Sequence, residues 1–100
     1  MKRERVMREI RRIKKRINAE TAILFGSYAR NKADEFSDVD VVFIKREDNR
    51  NILERMKDVY LLWNLPIALD ALVYTKKEFE EMKKRGNDFI RNVIKDGVEV

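Results

Sequence analysis

The sequence predicts an α+β fold: a small mixed or antiparallel sheet of about three strands packed with helices, in the order α-β-α-β-α-β-α-α. Three observations carry this. Segments with apolar residues at helical spacing alternate with short β-rich runs along the whole chain. Gly26 and Ser27 close one apolar run, while Asp38 and Asp40 open the next. These groups can face one ligand only if the two strands run antiparallel. Finally, 100 residues that are 44% hydrophobic, with three Gly and one Pro, suit one globular domain with a modest core, residues 1–100.

The elements follow in order. "KRERVMREIRRIKKRI" sets Val6, Ile10, Ile13 and Ile17 on one helical stripe, with Met7 beside it and a basic outer face. "TAILFG" reads as the first strand, stopped by Gly26. Ser27 to Lys32 lacks a strand pattern and can open a helix. "NKADEFS" is polar loop, and "DVDVVFI" is the second strand. From Asp48 to Trp63, residues Ile52, Met56, Val59, Tyr60 and Trp63 recur at helical spacing. Pro66 disfavours helix at Leu65 and ends that element. "IALDALVY" is the third strand; both of its alternating sets are mostly apolar, which suggests an inner strand. Thr75 with Glu78 is a capping-box signature for a helix that ends at Gly86. Asn87 can cap a last helix through Phe89, Ile90, Val93 and Ile94, and Gly97 releases a short apolar tail.

Composition excludes several chemistries. There is no Cys and no His, so disulfides, thiolate or imidazole metal sites, and Ser-His or Cys-His catalysis are absent. Catalysis must rest on carboxylates, Lys, Tyr or a hard metal ion bound by oxygen. No apolar run approaches the ~20 residues of a membrane helix. The charged N-terminus has no apolar segment behind it, so a cytoplasmic protein without secretory signal is expected. The net charge of +5 is uneven. Residues 1–17 hold nine Lys/Arg and two Glu, a net +7; the rest hold 14 basic and 16 acidic side chains, a net −2.

Asp38 and Asp40 stand two apart, which on a strand places both side chains on one face, roughly 7 Å apart at the backbone. Such a pair can converge on two divalent ions ~3.5–4 Å apart. The plainer reading of Asp-x-Asp at a strand start is solvated turn chemistry. Asp70 interrupts an apolar run, and a carboxylate inside a sheet costs several kcal/mol unless paired or metal-bound. It could instead lie on an exposed face or pair with an Arg. At Gly26 the backbone can turn sharply and a ligand can come close. Ser27 can cap a helix or donate to a phosphate oxygen, and Arg30, one turn on, could add charge. The plainer reading there is a strand-to-helix turn with a Ser cap.

Together these residues resemble a family. "GSYARNKADEFSDVDVVF" is similar to the GSxARG–x(n)–SDxDh signature of minimal nucleotidyltransferase domains, in the DNA polymerase β-type nucleotidyltransferase superfamily. The third acid in "ALDALVY", followed by "TKKEFEE", resembles it too. The resemblance implies the nucleotidyltransferase fold and transfer of NMP, AMP from ATP or another NTP, to an acceptor with release of pyrophosphate. It implies that Gly26, Ser27 and Arg30 hold the nucleotide, and that Asp38, Asp40 and Asp70 bind two Mg²⁺. In a chain without His, Asp70 is also the natural general base. Small members of this kind often act with a HEPN-type helical partner, as antitoxins that AMPylate the toxin. One departure is plain: the signature Gly after Arg30 is Asn31, which tolerates the left-handed conformation better than most residues.

Two other classes stay open. One is a binding module that neutralises a partner by contact, with the metal site silent. The other is a nucleic-acid-binding domain using the basic first helix, although a solvated helix face is the simpler account and aromatic interleaving for base stacking is lacking. A second copy could supply the acceptor surface that larger relatives build from another domain. Tyr28, at the variable position of the motif, could touch a nucleotide; Tyr60 and Trp63 read as core or partner interface.

Overall fold

The computed structural model describes residues 1–100. Its elements are α1 (Arg3–Arg16), β1 (Thr21–Phe25), α2 (Gly26–Ala29), β2 (Val39–Lys45), α3 (Ile52–Leu62), β3 (Leu69–Thr75), α4 (Lys76–Lys84), α5 (Asp88–Asp96) and β4 (Val98–Glu99). One four-stranded sheet has the order β3-β2-β1-β4. β1 runs antiparallel to β2 and to β4, while β2 and β3 are parallel. The antiparallel β1/β2 pair required by the Gly-Ser and Asp-x-Asp placement is therefore present, within a mixed sheet.

Helices cover both faces. Val39, Val41 and Phe43 of β2 point to one face, with Val6, Ile10 and Ile13 of α1 and Val59 of α3, all fully enclosed. Val42 and Ile44 point to the other, with Phe79 of α4 and Ile90 and Val93 of α5. A period of two along β2 thus feeds two cores, and every residue from Val41 to Ile44 is buried. Each such side chain contributes about 1.5–3 kcal/mol of burial. Three helices begin with the caps their sequences carry. Asn51 Oδ1 accepts from Glu54 N–H at 2.9 Å, Thr75 and Glu78 form the reciprocal capping box, and Asn87 Oδ1 accepts from Ile90 N–H at 3.0 Å.

Three expectations need correction. The sheet has four strands, because the apolar tail after Gly97 pairs Val98 with Leu24 and Glu99 with Ile23. α3 starts at Ile52, not Asp48: Asn51 caps it, and Asp48 is already held by Lys45 at 2.9 Å and Arg50 at 2.7 Å. β3 is an edge strand, not an inner one. Its two faces are apolar because helices cover both, and side chains satisfy much of its open edge. Ala71 N–H donates to Tyr60 Oη at 2.9 Å, and Val73 C=O accepts from Arg55 Nη1 at 3.2 Å. Thr75 N–H donates to Glu78 Oε1 at 2.8 Å. Such cover also blunts an edge against pairing with another chain.

Two buried charges lock the helices together. Arg55, 6% exposed, also donates to Glu78 at 2.7 Å and to Arg50 C=O at 3.0 Å, joining α3, β3 and α4. Glu9, 8% exposed, accepts from Arg12 at 2.8 Å and from Asn64 N–H at 2.7 Å, tying α1 to the end of α3. Arg12 donates to Leu62 C=O at that same helix end. Trp63 Nε1 donates to Ile67 C=O at 2.9 Å, so the ring is half-buried structure. No helix is long and apolar enough to cross a membrane.

Candidate active site

The site is built at one end of the sheet by strand register. Val39 and Val41 are fully enclosed under α1 and α3, so alternation turns Asp40 to the opposite face, beside α4 and α5. Asp38, one residue before β2, shares that parity and is exposed. In the parallel pair Asp40 lies level with Asp70, and in the antiparallel pair it lies level with Phe25. One strand pairing thus brings Asp70 to Asp40, and the other brings Gly26, the residue after Phe25.

Gly26 has φ +70, and a Cβ there would overlap Asp40 Oδ2 and sit 3.1 Å from its Cγ. Only glycine lets the backbone turn over the carboxylate this closely. α2 begins at Gly26 with no side-chain cap, so Ser27 does not cap the helix it opens. Tyr28 is 3% exposed and Ala29 is buried with it; both anchor the turn in the core, and Tyr28 is not a nucleotide contact. Arg30 is exposed. Asn31 takes φ 58, the left-handed conformation for which the Gly-to-Asn change left room. Lys32 N–H then donates to Ser27 C=O at 2.9 Å and closes the turn.

The electrostatics at this end are unbalanced. Asp40 is half-buried, and its carboxyl is pushed above the ordinary range, first by burial, then by the charges of Asp70 and Asp38; Arg30 acts in the opposite sense. Asp70 is exposed at the start of an edge strand. Burial therefore does not explain it, and its weight comes from its register with Asp40. As placed, no three acidic side chains close into a metal-binding cage. The donor set fits a hard cation nonetheless: the acids offer only oxygen ligands, and added positive charge would relieve the repulsion that lifts Asp40. Grooves of about 330 and 400 Å³ open elsewhere, the first lined by Lys76 and Phe79 and the second by Arg11 and Lys15.

Sequence reasoning passed over one residue here. Phe36, in the loop read as merely polar, is 84% exposed two positions before Asp38. Asp34 and Ser37 pin that loop: Phe36 N–H donates to Asp34 Oδ1 and Asp34 N–H to Ser37 Oγ, each at 2.9 Å. The Asp…Ser spacing in "DEFS" was the available sign of such a turn.

The mixed sheet, with paired acids at one strand mouth and a Gly-Ser turn over them, agrees with the arrangement that the sequence resemblance implies. The profile of the nucleotidyltransferase domain family matches residues 6–100, and the chain belongs to that family. A relative in Methanocaldococcus jannaschii, provisionally named a protein adenylyltransferase, is 32% identical over 75 residues, covering 75% of this chain and 71% of its own length. A crystal structure from Sulfolobus solfataricus, provisionally described as a nucleotidyltransferase, superposes with a TM-score of 0.65 at 22% identity. That match covers 98% of this chain and 81% of the other, and it shows the shared fold. The protein is thus a nucleotidyltransferase, a transferase of nucleoside monophosphate.

Proposed function

We propose that this chain transfers AMP from ATP to a hydroxyl of a protein partner, with residues 1–100 acting as one minimal domain. The observation that carries the reading is the register of Asp40 with Asp70 beneath a glycine that only an unsubstituted backbone allows. The name of the archaeal relative supports protein as the acceptor class.

In this reading Gly26 and Ser27 hold the triphosphate: the first backbone N–H groups of α2 have no partner within the helix, and the Ser27 hydroxyl is not used as a cap. Arg30 adds positive charge beside Asp40. Asp38, Asp40 and Asp70 would hold Mg²⁺, two ions in all, which when bound supplies charge neutralisation and alignment of the phosphates. Asp70, exposed at the strand start, accepts the proton of the acceptor hydroxyl. The acceptor oxygen bonds to the α-phosphorus, the bond to the bridging oxygen breaks, and pyrophosphate leaves. The partner is a HEPN-type helical protein, and its modification gives the domain an antitoxin role.

The test is incubation of the chain with α-labelled ATP, Mg²⁺ and that partner. Asp38→Asn and Asp40→Asn each reduce label transfer by at least about a hundredfold, on the scale of losing one charge-stabilising group. Transfer that persists in both variants overturns the assignment.

A further inference from the structure

We propose that the outer face of α1 is a docking surface for the phosphate backbone of a nucleic acid, separate from the acidic site. α1 packs Val6, Ile10 and Ile13 on one sheet face, whereas Asp40 turns to the other. Away from the sheet α1 exposes Arg5, Arg8, Arg11, Arg12, Lys15 and Arg16, with Glu4 the one exposed acid of the helix. Only Arg12 meets a carboxylate, that of Glu9. The other ion pairs of the protein lie between residues outside α1. At its end α1 borders a groove of about 400 Å³ lined by Arg11, Lys14 and Lys15, of which Lys14 donates to the Val100 oxygen at 3.2 Å.

Helix stability does not account for this pattern. Lys14, Lys15 and Arg16 in the last turn favour the helix dipole, but Arg3 and Arg5 in the first turn oppose it. Arg8 with Arg12, Arg11 with Lys15, and Arg12 with Arg16 are like charges four apart, an arrangement that destabilises a helix. The cations are therefore kept at a cost, and a polyanion repays it. The face carries no apolar side chain, so it lacks the hydrophobic anchors that protein interfaces centre on. Arg predominates, and its planar fork suits phosphate oxygens. The row from Arg5 to Arg16 spans about 17 Å, long enough for about four phosphate contacts. With no aromatic side chain on the helix, base stacking plays no part and duplexes bind as well as single strands.

The experiment uses the full chain and fluorescein-labelled duplexes of about 20 base pairs, one RNA and one DNA, with a polyglutamate of matched charge, read by anisotropy. Both duplexes bind at low salt, and affinity falls roughly a hundredfold between about 50 and 200 mM salt. A tighter RNA duplex assigns contacts to the 2′-hydroxyls; equal affinity assigns the backbone alone; both support the proposal. The variant Arg8→Ala/Arg11→Ala/Lys15→Ala lowers the log–log salt slope by about 3. Its melting temperature does not fall, because repulsion is removed and Ala favours helix. No duplex binding at low salt, or the same salt slope in the variant, overturns the proposal. So does polyglutamate binding as tight as the duplexes, which would assign the face to an acidic protein.

Discussion

The two ends of β2 use the same residue types in opposite ways. At the C-terminal end the enclosed carboxylate is matched by two cations. Lys45 and Arg50 meet Asp48 at 2.9 and 2.7 Å, and Arg50 also meets Asp58 at 2.7 Å. Hydrogen bonding from Arg50, then from Lys45, holds the Asp48 carboxyl far below the ordinary range despite its burial. At the N-terminal end Asp38, Asp40 and Asp70 crowd together with only Arg30 opposing, and the Asp40 carboxyl is driven up. A fold able to pair an enclosed carboxylate at one end leaves a half-buried one without a salt-bridge partner at the other. Local destabilisation confined to one strand mouth is what a ligand-completed site requires.

Breaking the matched side has the largest effect on stability. Arg55 joins the paired network to β3 and α4, so Arg55→Met leaves Val73 C=O and the Arg50 carbonyl without this donor and Glu78 without its cation. The loss is about 2–3 kcal/mol, since the partner Glu78 is partly exposed and keeps its contacts to Thr75. Urea unfolding measures it, and the melting temperature falls by roughly 10 °C or more. The pH dependence has a definite sign. Hydrogen bonding to Arg55 lowers the Glu78 carboxyl below its ordinary value. Its contribution is therefore complete above the unfolded carboxylate range and is lost as pH falls through the lowered native value. The gap between wild type and variant should narrow only in that acid window.

The unmatched side behaves in reverse. Asp70→Asn removes the larger of the two like charges acting on Asp40. A carboxyl raised in the native state is a liability while ionised, so the variant gains stability at neutral pH. The gain is a few tenths to about 1 kcal/mol, reduced by solvent screening at this half-exposed site. It disappears as pH falls through the raised native value, because Asp40 is then protonated in both proteins. Thermal melts across that range check it, and a variant less stable at neutral pH would contradict the charge assignment. Activity moves the other way, since Asp70 is also the proposed base.

How much of this was legible in the sequence follows from distance along the chain. Strands, helices and caps were readable because each is signalled within a few residues, as Thr75 and Glu78 are. The antiparallel β1/β2 pair was readable because chemistry demanded it. The edge position of β3 was not. Its apolar faces report helices on both sides, while its edge is covered by Tyr60 and Arg55, whose roles depend on residues 11 and 18 positions away. β4 is two residues long and too short to leave a period. Gly26, Asp38, Asp40 and Asp70 stand out in the sequence, and strand register brings them to one strand mouth. Of the readings open for Asp70, the exposed face is the one found, so its place beside Asp40 follows from strand register and not from burial.

Asn31 offers the finest test, because the chain contains its own control. Asn31, in the turn over the acids, and Asn18, between α1 and β1, have φ 58 and 59. Both are exposed, so backbone conformation dominates what a substitution does. Gly relieves native strain but widens the unfolded ensemble, and the two nearly cancel, leaving changes within about 0.5 kcal/mol at either position. Val tolerates the left-handed region poorly and costs about 1–2 kcal/mol at either position. Stability therefore cannot tell the two apart, and activity can. Asn18 precedes the far end of β1, whereas Asn31 sits in the turn that closes through Lys32 N–H and Ser27 C=O. Asn31→Val should lower AMP transfer several-fold beyond its effect on folding, with Asn18→Val leaving transfer per folded molecule unchanged. Equal activity losses in the two Val variants would show that the turn over Asp40 serves the fold and not the reaction.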